Sequence, residues 1–143
     1  MTGYKKVLVL LDLSDASAKV AAAGRDLAAC SNAALIVLHV VDFVPLEPMG
    51  ESLMPTGQIE EDLMGRARLK LQDLVAQTGL SNAMVRVEAG NTKAEILRVA
   101  DEESADLIVL GSRERHGLAI LVNFTEDTVL HAAHCDVLAV RLA

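Results

Sequence analysis

The stretch "YKKVLVLLDLSDASAKVAAAGRDLAACSNAALIVLHVVDF", residues 4–43, holds two apolar runs separated by an alanine-rich segment. Both runs, "YKKVLVLLDL" and "ALIVLHVVDF", are rich in Val and nearly continuous, which is typical of strands covered on both faces. The segment between them has the composition of a helix. This stretch therefore predicts a strand–helix–strand unit in a parallel sheet.

The rest of the chain repeats this alternation. Further strands are predicted at "AMVRVEAG", "DLIVLG" and "DVLAVRL", and further helices near Gly57 to Gln77 and over "NTKAEILRVADEES". Apolar and charged residues alternate in "AMVRVEAG", which predicts a strand near a sheet edge. We predict an α/β fold: one domain over residues 1–143, with a five-stranded, mainly parallel sheet and helices on both faces.

The first helix has candidate residues for both of its ends. Ser14 or Asp15 is expected to cap its start, and Asn32 is expected to end its last turn. Gly24 lies inside this helix, where it either weakens the helix or lets it pack closely against a neighbour.

Composition and charge exclude several classes of protein. The chain is 52% hydrophobic but has only two Phe, one Tyr and no Trp, so Val, Leu, Ile and Ala must form the core. A formal net charge of −7 argues against a nucleic acid or a membrane surface as the main partner, because both require a basic face. Asp12 interrupts the first apolar run, so we expect a cytoplasmic protein in which Cys30 and Cys135 are free thiols.

One stretch does not fit the alternation. "FVPLEPMGESLMPTG", residues 43–57, contains all three prolines and several apolar side chains. It is either a lid or partner contact, or a surface loop folded over its own domain. The second interpretation is favoured, because loops of this length most often pack on the domain that carries them.

Candidate ligand-binding residues follow the strands, since ligands of open α/β sheets bind outside the carboxyl ends of the strands. Asp12 ends the first strand, where its carboxylate either accepts a ribose hydroxyl or caps the next turn; capping is the more common role. Gly111 ends the fourth strand. The residues after it offer donors or a glycine backbone that suit a phosphate at a helix N-terminus: Ser112, Arg113, Arg115, His116 and Gly117.

These residues together resemble the universal stress proteins, small domains of the adenine nucleotide alpha hydrolase-like, Rossmann-like fold. The resemblance covers nearly the whole chain, through "KKVLVLLDLSDAS", "ALIVLHVV", "EILRVADEESADLIVLGSR", "RHGL" and "TVLHAAHCDVLAVRL". It implies that Asp12 resembles the ribose-contacting aspartate of the family. It also implies that Val40 and Val41 lie where the backbone contacts adenine.

The phosphate-binding motif of the family is only partly present. Nucleotide-binding members carry Gly-x-x-Gly, about nine residues, then Gly followed by Ser or Thr. Gly111 matches the first glycine and Glu114 replaces the second, while Asn123 with Phe124, or Phe124 with Thr125, replaces the last pair. A carboxylate about 4 Å from one phosphate charge costs on the order of 4 kcal/mol at an effective dielectric constant near 20. We expect that the adenosine half of the pocket survives and that the phosphate half is damaged, unless Arg113, Arg115 and His116 turn toward the phosphates. No cofactor is firmly predicted, and ATP is the candidate.

The last apolar strand predicts that the chain pairs with a second copy of itself. Its residues Val137, Leu138, Val140 and Leu142 are expected at a sheet edge, which invites pairing with a second copy across a two-fold axis. The resemblance implies the same homodimer. A further protein partner is expected without a sequence feature that identifies it, and neither nucleic acid nor membrane is expected.

No catalytic site is predicted. Ser112 is the best nucleophile candidate and His116 a conceivable base, but Gly-x-Ser-x-Gly is absent around Ser112. His131, His134 and Cys135, together with Asp136, are possible metal donors, but no fourth ligand is evident at the spacing of a closed site, so a structural or exposed role is favoured over a metal site. His39 lies in an apolar strand and is expected to be a hydrogen-bonded core residue.

Overall fold

A computed structural model of the protein describes residues 3–42, 56–112 and 125–142. Within these ranges five strands and four helices alternate along the chain, which confirms the α/β fold predicted from the sequence. The elements are β1 (Lys6–Leu10), α1 (Ser17–Ser31), β2 (Ala34–Asp42), α2 (Thr56–Gln77), β3 (Met84–Gly90), α3 (Thr92–Glu102), β4 (Leu107–Ser112), α4 (Thr125–Ala132) and β5 (Asp136–Arg141).

The five strands form one sheet in the order β3-β2-β1-β4-β5. Each neighbouring pair is parallel, so the sheet that the sequence predicts as mainly parallel is parallel throughout the described residues. β1 lies at the centre, and β3 and β5 lie at the two edges. Both edge positions agree with the sequence-based predictions.

Successive side chains along the strands point to opposite faces of the sheet and form two separate hydrophobic layers. One layer packs under α1 and α2, and the other packs under α3 and α4. The first includes Val7, Val9, Val37, Val87 and Val109 of the sheet, and the second includes Leu8, Ile36, Leu38, Ile108 and Leu110. Burial on both faces explains why the central strands are almost continuously apolar in sequence.

Helix α1 begins later than its sequence suggests. Ala16 precedes the helix and makes no side-chain capping bond, so the prediction that Ser14 or Asp15 caps it was wrong. The carboxylate of Asp12, two residues before Ser14, organises this turn instead. At the other end, Asn32 adopts a left-handed conformation with φ 52°, which confirms the predicted helix end.

Gly24 places α1 close to the central strand. A Cβ atom at this position would collide with Cγ2 of Val9, which is fully buried in β1. Close packing, one of the two roles considered for Gly24, is therefore the one that the structure shows.

The proline-containing stretch lies outside the described residues up to Pro55, and residues 56 and 57 open α2. Its role as a lid or as a surface loop stays a prediction. Among the helices of the described ranges, none combines the length and the apolar character that crossing a bilayer requires.

Candidate functional site

The carboxyl ends of three strands meet at one edge of the sheet. β1 lies between β2 and β4, so the residues that follow these three strands are neighbours. From β1 the sheet continues through β2 to β3 on one side and through β4 to β5 on the other. Strand order therefore reverses beside β1, which is where open α/β sheets bind their ligands.

Asp12 lies just beyond β1 and is fixed by two local hydrogen bonds. Its Oδ1 atom accepts one from the backbone N–H of Ser14 at 2.9 Å and one from the hydroxyl of Ser17 at 2.8 Å. A carboxylate that accepts from the backbone two residues later turns the chain from a strand into a helix. Asp12 therefore has the local capping role that was predicted, and it holds a negative charge at this edge.

The turn between β1 and α1 stores backbone strain at Leu13. Its φ of 64° lies in the left-handed region, which costs a residue other than glycine on the order of 1 kcal/mol. The Leu13 side chain packs against the layer under α1 and α2, which helps to hold this conformation. Leu13 and Ser14 also line a depression of about 250 Å³ whose other wall is formed by Lys70, Asp73 and neighbouring residues of α2.

The end of β2 forms the second side of the site. Val40 is buried under α3 and α4, whereas Val41 packs toward α1 and α2 and is half-buried. His39 Nδ1 donates a hydrogen bond to the carbonyl oxygen of Leu11 at 2.7 Å, which ties β2 to the chain just before Asp12. His39 is thus the hydrogen-bonded residue that the sequence predicted.

Gly111 and Ser112 form the third side, at the end of β4. A Cβ atom at Gly111 would lie 2.6 Å from Cδ1 of Leu142 and 3.2 Å from Cγ2 of Val20. The carbonyl oxygen of Ser112 accepts a hydrogen bond from the backbone N–H of Leu142 at 2.9 Å. Packing between β4, α1 and the end of the chain therefore leaves little room for a side chain at position 111.

The structure brings Asp12, Val40, Val41 and Gly111 to this common edge. The other predicted site residues lie outside the described part of the chain: Arg113, Glu114, Arg115, His116, Gly117, Asn123 and Phe124. Thr125 is the first residue of α4. The predicted damage to the phosphate-binding loop therefore stays a prediction.

Comparison with known proteins identifies the chain at the level of its family. The model of the Universal stress protein family matches residues 3–141, which include every strand and helix described above. The chain belongs to the universal stress protein family. It thus belongs to a family of stress-response proteins, as the sequence resemblance implied.

Three similar proteins match this universal stress protein over nearly their full lengths. Universal stress protein A homolog 2 of Coxiella burnetii is 33% identical over 143 residues, which cover 99% of this chain and 98% of the relative. The solved structure of universal stress protein UspA from Lactobacillus plantarum has a TM-score of 0.75 and 27% identity, and the match covers 99% and 100% of the two chains. A universal stress protein solved in complex with cAMP has a TM-score of 0.68 at 24% identity, with 99% of both chains covered.

Two residues of this universal stress protein contribute to the site edge without having been predicted. Ser17 donates to Asp12, and its position five residues later, at the start of a helix, is the signal that could have identified it. Lys19 Nζ donates to the carbonyl oxygen of Arg141 at 2.7 Å and so joins α1 to the end of β5. Lys19 and Arg141 are 122 residues apart, and nothing in their local sequence indicates the contact.

The candidate metal donors of the sequence do not form a cluster. Among the described residues there is no group of three or more His, Cys, Asp or Glu side chains that could hold a metal ion. His134 Nδ1 lies 3.2 Å from Oδ1 of Asp101 at the surface, and His131 is exposed. Partial burial, together with the charges of nearby aspartates, raises the pKa of the Cys135 thiol and disfavours the thiolate that would bind a metal.

Proposed function

We propose that this universal stress protein acts without catalysis, as a cytoplasmic homodimer that works through contacts with other proteins. In this proposal its nucleotide pocket keeps the half that binds adenosine and has lost the half that binds phosphates. The observation that carries the proposal is the meeting of Asp12, the end of β2 and Gly111 at the point where strand order reverses.

The adenosine half is supported by the fixed position of Asp12. A carboxylate is a strong acceptor for hydroxyl donors, and two local hydrogen bonds already hold this one at the edge of the sheet. The backbone of Val40 and Val41 follows β2 to the same edge, beside Asp12. A nucleoside bound here would have its sugar near Asp12 and its base near the end of β2.

The loss of the phosphate half is supported by the sequence that follows β4. Glycine lets a backbone N–H approach a phosphate closely, and Glu114 adds a side chain and a negative charge where the family motif has glycine. Asn123 and Phe124, or Phe124 and Thr125, stand where the motif has glycine followed by a hydroxyl residue. These replacements favour adenosine over ATP, because they act on phosphate and leave the base and sugar contacts alone.

The homodimer is supported by the edge position of β5. Leu138 is 39% exposed on this strand, and Ala139 beside it is also exposed. An edge strand with exposed apolar side chains pairs readily with another strand. We expect light scattering at micromolar concentration to give the mass of a dimer, and a monomer would contradict this part of the proposal.

Calorimetry with ATP and adenosine tests the pocket. We expect the wild type to bind ATP weakly or not at all and to bind adenosine better, with a difference that shrinks as salt screens Glu114. The triple variant Glu114→Gly, Asn123→Gly, Phe124→Ser should gain more affinity for ATP than for adenosine. Submicromolar ATP binding by the wild type, or an equal gain for both ligands in the variant, would contradict the proposal.

The second candidate function is an ATP- or AMP-dependent stress sensor, with slow hydrolysis as an extension. The relative solved in complex with cAMP favours it, since that protein of the same fold binds a nucleotide. Tight ATP binding by the wild type would select this function. Turnover that disappears in a Ser112→Ala variant would then select the hydrolase.

A further inference from the structure

The outer face of α2 has exposed residues at the spacing of a helix that contacts a second helix. On its inner side α2 packs under the sheet through Ala67, Leu71 and Val75, which are buried. Residues three, four and seven apart share one face of a helix. On the side of α2 away from the sheet, such a stripe is exposed throughout: Gln58, Glu61, Asp62, Gly65, Arg68, Leu69 and Gln72.

Gly65 lies at the middle of this outer face and is not required by the packing of the described residues. A glycine inside a helix makes the helix less stable than alanine would. At Gly24 packing requires the glycine, because a Cβ atom would collide with Val9, whereas a Cβ atom at Gly65 would meet nothing within 4 Å. The distance between two packed helices depends on the side chains at their contact, and glycine permits the closest approach. Gly65 therefore suits a crossing with a helix from outside the chain.

The charges of α2 are separated along the helix. Carboxylates occupy residues 60–62, and the next charged residues are all basic: Arg66, Arg68 and Lys70. Within residues 3–42, 56–112 and 125–142, neither Asp62 nor Arg68 forms an ion pair. Two parallel copies of α2 would bring like charges together. Two antiparallel copies that cross at Gly65 would instead place the acidic part of each against the basic part of the other.

We propose that the outer face of α2 is a self-complementary docking surface for a second copy of the chain, with a two-fold axis at Gly65. The antiparallel arrangement places Asp62 of each copy beside Arg68 of the other, so one contact is formed twice. It also brings each Leu69, which is 65% exposed, against the other copy near Glu61. Residues 43–55 are a poorer occupant, since Glu47 and Glu51 are their only charges and could complement only the basic part.

This surface is separate from the β5 edge and adds a second, weaker contact. α2 packs against β2 and β3, whereas β5 lies at the opposite edge of the sheet. Two helices that touch over about three turns bury less than the roughly 1,200 Å² typical of stable complexes. We therefore expect association through α2 at about 0.1 to 1 mM protein, above the micromolar range of the proposed β5 dimer. Dimers joined through β5 would then assemble further through α2.

A disulfide at the two-fold axis tests the geometry. In a Cys30→Ser, Cys135→Ser background, Gly65→Cys places two thiols opposite each other, within the Cα separation of about 7 Å that a disulfide allows. Gln72→Cys lies on the same face but seven residues from the axis, so its two copies would be about 20 Å apart. On mild oxidation we expect Gly65→Cys to form a linked dimer at least about 10-fold faster. Equal rates for the two variants would indicate random collision and overturn the proposal.

Exchange of the opposed charges tests the pairing itself by sedimentation velocity up to about 1 mM protein. Asp62→Arg and Arg68→Asp each create two like-charge contacts and should weaken association through α2 at least about 10-fold. The double variant, or an equimolar mixture of the two single variants, should restore it. Asp73→Arg makes the same charge change on α2 beside Leu13, away from the outer face, and should leave association unchanged.

The same charge variants in a Leu138→Asp background separate this contact from the proposed β5 dimer. Leu138→Asp should abolish only the association at micromolar concentration, and the effects of Asp62→Arg and Arg68→Asp should persist. Failure of the β5 dimer would therefore leave the α2 contact measurable. A wild type that does not self-associate beyond the β5 step at 1 mM, or a double variant that stays as weak as the single variants, would overturn the proposal.

Discussion

The two edge strands of the sheet, β3 and β5, differ in the side chains at their centres, which are partly charged on β3 and apolar on β5. On β3, Arg86 donates to Glu103 of α3 at 2.9 Å and to Glu88 of its own strand at 2.8 Å. Arg98 of α3 donates to Glu88 at 2.6 Å. On β5, by contrast, the exposed positions include the apolar Leu138 and Ala139.

This difference would direct the proposed dimerisation to one edge of the sheet. Charged side chains along an edge oppose pairing, because a second strand would have to remove them from water. Partial burial tends to raise the pKa of Glu88, but hydrogen bonds from Arg98 and Arg86 outweigh it and hold that pKa below its ordinary value. The lowered pKa favours the charged form of Glu88, and we infer that β3 resists pairing with a second copy of the chain while β5 accepts it.

Matched substitutions on the two edges should give the largest effect. Leu138→Asp places a charge in the proposed β5 interface and should weaken dimerisation at least about 100-fold, because an unpaired carboxylate would be buried there. Met84→Asp makes a similar change on β3, where Met84 is 51% exposed, and should leave the dimer intact. Sedimentation velocity at micromolar concentration measures both. A dimeric Leu138→Asp variant, or dissociation of the dimer in both variants, would contradict the proposed difference between the two edges.

The ion-pair network on β3 should contribute moderately to stability. Arg86 is 16% exposed at its side chain and contacts Glu88, Glu102 and Glu103, so Arg86→Met should lower the free energy of unfolding by about 2 kcal/mol. Arg25→Met removes an exposed pair with Asp26 and a hydrogen bond to the carbonyl oxygen of Thr78 at 2.9 Å, and should cost about 1 kcal/mol. Urea unfolding compares the two variants. Equal losses would show that the β3 network is no more than a set of surface pairs.

The smallest effect is expected at Tyr4, which donates to Oδ2 of Asp136, the first residue of β5, at 2.8 Å. This hydrogen bond favours the protonated phenol and raises the pKa of Tyr4 above its ordinary value. Its contribution to stability is therefore present below that ordinary pKa and is lost as pH rises through the pKa of the folded state. Tyr4 is the only tyrosine, so ultraviolet absorbance follows its titration directly.

Asp136→Asn should lower the pKa of Tyr4 toward the ordinary value. Met84→Asp, on the far edge, should leave it unchanged. A Tyr4 titration that does not respond to Asp136→Asn would show that the hydrogen bond is not formed in solution. A response to both variants would mean that the two edges are not independent.

The sheet and its two edges could be predicted because their signals are repeated along the chain. Continuous apolar runs identify the central strands, and the charged residues Arg86 and Glu88 mark β3 as less buried. Asn32 was also predictable, since the rule for a helix end is local. His39 was predictable in its role but not in its partner, since a histidine in an apolar strand needs a hydrogen bond and Leu11 is distant in sequence. Periodicity and local chemistry thus account for most of the fold.

The site was predicted only in part, because its contacts depend on the path of the chain through space. Asp12 was identified, but Ser17 was not, since helix-start rules assign the cap to Ser14 or Asp15 and the structure places Ala16 there. The sequence also treats Leu138 and Val140 as equivalent edge residues. In the structure Val140 packs against the layer under α1, so an aspartate there would disturb folding as well as association.

Gly111 shows that packing, as well as ligand binding, can require a glycine of a binding motif. It fits between Val20 and Leu142, and a larger residue would press on Val20 and require Leu142 to move. Packing alone would therefore keep a glycine at position 111 in a chain that no longer binds nucleotides. A glycine at this position is thus compatible with a chain that binds ATP and with one that does not.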